Sequence, residues 1–371
     1  MARPNGRLRT LWLAEDGVSV EVIDQRQLPH RFEVATLRTL AETELAIQTM
    51  LVRGAPLIGV VAAYGVCLGL RADPSDRSLD AACAGLSRAR PTAVNLGWAL
   101  AQMRDGLLPV APPARVEAAY RLAAELCERE VAASRAIGEH GQRVLEELLT
   151  AKGGPGRLNV LTHCNAGWLA TVEWGTALAP VYLAHQRGMD VHVWVDETRP
   201  RNQGAALTAW ELREAGVPHT VIADNAGGHL MQHGLVDVCL VGSDRTTRRG
   251  DVCNKIGTYL KALAARDNGV PFYAAMPLSS IDWSLEDGVR EIPIEQRDPR
   301  EVTEITGCLP GGALATVRLT PDGTAAVNYG FDVTPARLVT GIITERGICP
   351  ASEPGLRTVR PEAEALEGAR A

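Results

Sequence analysis

Lys152-Gly153-Gly154-Pro155-Gly156, and the run behind it, Leu158-Asn159-Val160-Leu161-Thr162-His163-Cys164-Asn165-Ala166-Gly167, decide the fold. The glycines and proline end any helix arriving from the N-terminal side. The apolar residues that follow predict a buried strand, and the polar and small residues after them a turn. The same unit recurs. Val191–Val195 leads into Asp196-Glu197-Thr198-Arg199-Pro200, Thr220–Ala223 into Asp224-Asn225-Ala226-Gly227-Gly228, and Val236–Val241 into Gly242-Ser243-Asp244-Arg245, with another apolar run at Pro271–Met276. Helical stretches such as Ala205–Ala215 and Lys255–Asn268 lie between them. This alternation predicts an α/β protein built on a Rossmann-like parallel sheet with helices on both faces.

Toward the N-terminus the rhythm differs. Val18, Val20 and Val22 alternate as in a strand, Thr36 is a candidate helix N-cap, and a helix is expected to end near Arg53-Gly54-Ala55-Pro56. Segments 57–71 and 113–150 are rich in alanine and leucine and broken by prolines, as in packed helices. The expected division is a smaller domain of short strands and a helical bundle (1–150), a Rossmann-like domain (151–350) and a flexible tail (351–371).

The formal net charge of −6 offers no basic footprint for nucleic acid or an anionic membrane. Neither an N-terminal apolar signal nor a membrane-length apolar run is present, so a cytoplasmic protein is expected. The eight cysteines show no C-x-x-C pair and no framework spacing, which fits reduced thiols.

In an open parallel sheet, ligands bind beyond the carboxyl ends of the strands, so the residues after each apolar run are the candidates. Position alone leaves Cys164 between a small buried core residue, the commoner use of a free cysteine, and a reactive thiol. Asp244 is equally open to capping, to pairing with Arg245, Arg248 or Arg249, and to catalysis. Arg53 and Arg90 present guanidinium forks suited to phosphate or to structural ion pairs. Gln203-Gly204 and Asn254-Lys255-Ile256-Gly257-Thr258 precede predicted helices, whose N–H groups favour an anion. His163 and His229 lack metal-binding spacing and read as structural histidines. The absence of a nucleotide-binding glycine loop disfavours nucleoside triphosphates and dinucleotides, an NAD-dependent dehydrogenase included.

Taken together, Arg53–Pro56, Arg90–Leu96, Leu161–Gly167, Asp196–Gly204, Gly242–Arg245 and Gly250–Thr258 resemble the methylthioribose-1-phosphate isomerase family. Ile23-Asp24-Gln25, Pro293–Pro299 and Phe331-Asp332-Val333-Thr334-Pro335 extend the resemblance over about residues 10–350. It implies an aldose–ketose isomerase of methionine salvage, a homodimer acting on a sugar phosphate without metal or organic cofactor. It also implies that Cys164 and Asp244 are catalytic, with substrate bound by Arg53, Gly54, Ala55, Arg90, Gln203, Asn254 and Lys255.

Asp244 would donate a proton at the ring oxygen, which requires a carboxyl group kept protonated by desolvation, with Arg245 directed away. Trp168 departs from the family pattern and is expected to shape the pocket near the 5-substituent. The same chemistry on 5-deoxyribose 1-phosphate or ribose 1,5-bisphosphate stays open, as does a non-catalytic regulatory subunit of a translation-initiation exchange factor, which shares the fold.

Overall fold

The computed structural model describes residues 9–90 and 93–360. β1 (Leu11–Leu13), β2 (Val20–Ile23) and β3 (Val34–Leu37) form an antiparallel meander whose alternation puts Val20 and Val22 in the first core. Thr36 is not a cap, because it pairs with Glu21 inside β3. The cap of α1 (Leu40–Gln48) is Thr39, whose hydroxyl accepts from Glu42 N while the Glu42 side chain reaches back to the Thr39 N–H. Only Thr39 has the glutamate three residues on that this reciprocal box needs.

Arg53-Gly54-Ala55-Pro56 does not end a helix but opens one, since proline in a first turn forfeits no intrahelical hydrogen bond. The helix it opens, α2 (Ala55–Leu70), is buried on nearly every side. Helices α1, α3 (Asp76–Ala89), α4 (Val94–Leu107) and the start of α5 (Pro112–Ala151) surround it. At 40 residues α5 spans about 60 Å. Its early residues Ala119, Ala123 and Leu126 pack in the first core, and Ile137, Val144 and Leu145 in a second.

Between those ends lies Glu130, whose carboxylate accepts from Ser134 Oγ and Val172 N. Burial pushes its pKa up to about 7, against the hydrogen bonds that favour the charged form. A carboxyl group raised on folding contributes stability in full below its unfolded value near 4.5 and loses it as pH rises through about 7. Glu130→Gln is therefore expected to flatten urea-unfolding stability between pH 5 and 8, by on the order of 2 kcal/mol once its partial exposure is discounted. Parallel wild-type and variant profiles would count against it.

The five predicted runs become adjacent strands of one seven-stranded sheet. They are β4 (Leu158–Thr162), β5 (Val191–Asp196), β6 (His219–Ile222), β7 (Val238–Val241) and β10 (Phe272–Ala275). The order is β16-β15-β10-β7-β4-β5-β6, where β15 (Gly341–Thr344) is parallel to β10 and β16 (Gly347–Cys349) is the antiparallel edge. Neighbouring residues point to opposite faces, so Val160 joins the core under α6 (Ala179–Gln186) and Leu161 the core under α9 (Thr258–Asp267). The stretch 205–215 is a wide five-residue turn, Gly204–Thr208, that tightens into α7 (Ala209–Glu214). Helix α8 is Ala226–Gln232.

A four-stranded sheet stands in front of the large one, in the order β11-β8-β9-β14. Its strands are β8 (Arg245–Thr247), β9 (Val252–Lys255), β11 (Ile281–Asp282) and β14 (Phe331–Thr334). Lys255, expected at a helix start, ends a strand. Helices α10 (Gly288–Glu291) and α11 (Arg300–Thr303) precede a hairpin, β12 (Glu304–Cys308) and β13 (Leu314–Arg318). The expected tail from 351 begins instead as α12 (Glu353–Val359), because Leu356 and Val359 are apolar enough to join the core under α9. The rest of that expected tail, 361–371, lies outside the described residues.

Candidate active site

At the carboxyl ends of β4 and β7 a cleft of about 540 Å³, counted out to its mouth, is closed by the small sheet and the start of α2. Arg53, Gly54, Ala55, Arg90, Cys164, Gln203, Asp244, Asn254 and Lys255 all line it.

Cys164 has a φ of 67°, a left-handed conformation that costs a β-carbon residue energy unless its surroundings enforce it. Two threonines do so. The Cys164 N–H donates to Thr198 Oγ1 at 2.8 Å, and Thr208 Oγ1 donates to the Cys164 carbonyl at 2.7 Å. The thiol faces Gln203 Oε1 at 3.4 Å. Burial pushes its pKa up, and Arg53 and Lys255 only partly oppose this, so the group is a thiol rather than a thiolate.

The following residues hang on one buried carboxylate. Glu211 accepts from Asn165 Nδ2 (2.8 Å), Trp168 N (2.8 Å), Leu169 N (2.9 Å) and the Tyr182 hydroxyl (2.7 Å). A β-carbon at Gly167 would lie 1.9 Å from Glu211 Oε2, so glycine is obligatory there. The same geometry turns Trp168 away from the cleft and onto Trp210, at 5.8 Å between ring centroids. Trp168 therefore does not shape the pocket.

Arg53 reaches the loop from the segment just before α2, donating to Asn165 Oδ1 and, at 2.7 Å, to the Asn165 carbonyl. Burial lowers its pKa. Gly54 has a φ of 103°, and a β-carbon there would meet the Ala170 carbonyl at 2.4 Å. Among the described residues the N–H groups of Gly54 and Ala55 have no partner, so the positive end of the 16-residue α2 opens into the cleft.

The two helix starts expected to offer N–H groups to an anion are already occupied. Gly257 N and Tyr259 N donate to Asp332 at 2.7 and 3.1 Å, and Gly204 N and Ala205 N to the Glu197 carbonyl at 3.2 Å each. Gln203 and Asn254 reach the cleft through their side chains instead. Asn254 Nδ2 is steadied by Thr258 Oγ1 at 3.0 Å.

Asp244 is half-buried, its N–H donating to the Cys253 carbonyl at 2.9 Å. Its carboxylate makes no ion pair or hydrogen bond among the described residues. Arg245 is directed to Asp282, with 3.8 Å between Nε and Oδ2.

His163, Asp196 and Asp224 offer atoms within 4.8 Å of one another, but the cation in this cluster is Lys261, 3.1 Å from Asp196 Oδ2. His163 is held by Asp196 at 2.9 Å and the Ile256 carbonyl at 2.8 Å, while Asp224 accepts from Thr198 N and Arg199 N. This array supports the strand tips. His229 packs against His233 at 4.2 Å between ring centroids.

The chain matches the Initiation factor 2 subunit family over residues 51–351. It belongs to that family. Among its relatives, the methylthioribose-1-phosphate isomerase of Rhodospirillum rubrum is 61% identical over 358 residues, covering 95% of this chain and 92% of that protein. That of Methylorubrum extorquens is 62% identical over 354 residues, covering 95% and 96%. The crystal structure of 5-methylthioribose 1-phosphate isomerase from Pyrococcus horikoshii superposes with a TM-score of 0.81 at 39% identity, covering 97% of this chain and 98% of the other. A translation initiation factor eIF-2B delta subunit from A. fulgidus gives 0.77 at 36% identity, covering 95% and 99%.

Proposed function

We propose that this chain is an aldose–ketose isomerase converting 5-methylthioribose 1-phosphate to 5-methylthioribulose 1-phosphate, a step of methionine salvage. The observation that carries this is the placing of a buried thiol, Cys164, and an unpaired carboxyl group, Asp244, in one cleft with three buried cations, Arg53, Arg90 and Lys255. The phosphate blocks ring opening at the anomeric oxygen, so the ring oxygen must leave. Asp244, acting as the carboxylic acid, gives its proton to the ring oxygen as the bond from C1 to that oxygen breaks, hydrogen moves from C2 to C1, and the C2 hydroxyl gives its proton to the carboxylate so formed, leaving the ketone and restoring the acid. Cys164 borders the carbons between which hydrogen moves. The cations and the free end of α2 hold the phosphate, so that binding energy orients the ring.

Among the described residues no lysine or arginine beyond Arg53, Arg90 and Lys255 lines the cleft, and Met50, Ala166, Ala170 and Pro277 form apolar wall. This favours a methylthio group over a second phosphate at the 5-position. Incubating the pure protein with 5-methylthioribose 1-phosphate should give the ketose by NMR, and no product would refute the assignment. Arg90→Ala is expected to raise KM about tenfold or more with a smaller change in kcat. An unchanged KM would take Arg90 out of phosphate binding.

A cytoplasmic homodimer is also proposed. Eight unpaired cysteines fit a reducing compartment, and among the described residues no helix is long and apolar enough to cross a membrane. The homodimer rests on the family resemblance, and light scattering should return the mass of two chains.

A further inference from the structure

Lys255 and Arg90 are 4% and 8% exposed, and among the described residues only Arg90 has a carboxylate at ion-pair distance, Glu295 Oε2 at 3.6 Å. Among the described residues the Lys255 ammonium makes no hydrogen bond or ion pair, and the Glu295 pair of Arg90 is a long one without a hydrogen bond. Two such cations repel each other, and each needs something in place of water. What both meet is an aromatic ring. Lys255 Nζ lies 4.4 Å from the centroid of Phe331, and Arg90 Cζ 6.0 Å.

The placement follows from register. Phe331 opens β14 directly opposite Lys255, the last residue of antiparallel β9. The next residue, Asp332, points to the other side of the strand and spends its carboxylate on Gly257 N and Tyr259 N. The strand thus presents a π face to the cations and keeps its acid away from them. A carboxylate at position 331 would neutralise the cations and compete with an incoming phosphate. An aliphatic side chain would leave Lys255 without a favourable contact and Arg90 with the Glu295 pair alone.

We propose that Phe331 is a positioning residue for the substrate's phosphate, its ring holding Lys255 and Arg90 in place while leaving their charge available to the anion. This rests on the assignment of the phosphate to Arg53, Arg90 and Lys255.

The test replaces Phe331 site-specifically with 4-fluoro-, 3,5-difluoro- and 3,4,5-trifluorophenylalanine, which keep the ring's shape while draining its face of negative potential. Phe331→Leu is the end point. Inorganic phosphate is the calorimetric probe, and KM and kcat for 5-methylthioribose 1-phosphate are measured alongside. The expected result is a stepwise rise in the phosphate Kd and in KM, reaching roughly fivefold to thirtyfold across the series, with kcat moving much less. A flat fluorine series in an enzyme that still binds phosphate would overturn the role of the ring and leave the phosphate assignment standing. If wild type does not bind phosphate and Lys255→Met leaves KM unchanged, both the assignment and the inference fall.

Discussion

Asp244→Asn is expected to lower kcat about a thousandfold while leaving the protein as stable as wild type. The two halves of this expectation have separate physical grounds. Turnover needs a proton delivered to the ring oxygen as its bond to C1 breaks, and an amide cannot supply one. Stability is spared because the Asp244 carboxylate makes no ion pair or hydrogen bond among the described residues, so its loss strands no partner. The backbone contact that shapes the turn, Asp244 N to the Cys253 carbonyl, is untouched by the substitution. Thermal unfolding together with steady-state kinetics checks both halves. A variant within tenfold of wild-type kcat would remove Asp244 from the chemistry, and a collapse in Tm would make it a structural residue.

The large sheet was legible because each of its central strands is an apolar run followed by small or polar residues. The tips of β4 and β7 accordingly led to Cys164 and Asp244, although position left their roles open and only the resemblance chose between them. The small sheet escaped notice for a physical reason. Its strands hold two to four residues each, such as Arg245-Thr246-Thr247, too few to show alternation. Lys255 consequently looked like the start of a helix, and its neighbour Phe331 lies 76 positions away in sequence, beyond any local pattern. The helix ends misled for a related reason. Free N–H groups are a property of every helix start, but their partners here, Asp332 and the Glu197 carbonyl, are set by tertiary structure. At α2, where such groups do face the cleft, the string Arg53-Gly54-Ala55-Pro56 reads locally as a helix stop, although it opens the helix.

Cys164→Ser should cost two to four orders of magnitude in kcat, in a folded protein. Serine matches the shape closely and retains a donor toward Gln203, and the clamp formed by Thr198 and Thr208 acts on the backbone of residue 164, so the left-handed turn should survive. What the substitution removes is an acidic, polarizable group beside the carbons that exchange hydrogen. Because burial raises the pKa of Cys164, iodoacetamide should modify it more slowly at neutral pH than an exposed thiol, and substrate should slow it further. Turnover in D2O then separates two routes for the hydrogen. If a base removes the C2 proton and returns one at C1, the ketose acquires deuterium at C1, whereas a hydride shift within the closed cleft leaves it unlabelled. A neutral thiol is a poor base, which favours the unlabelled product with Cys164 acting as a polar wall, and extensive labelling would require the thiol to ionise once substrate is bound. Wild-type turnover in Cys164→Ser would deny the sulfur either role.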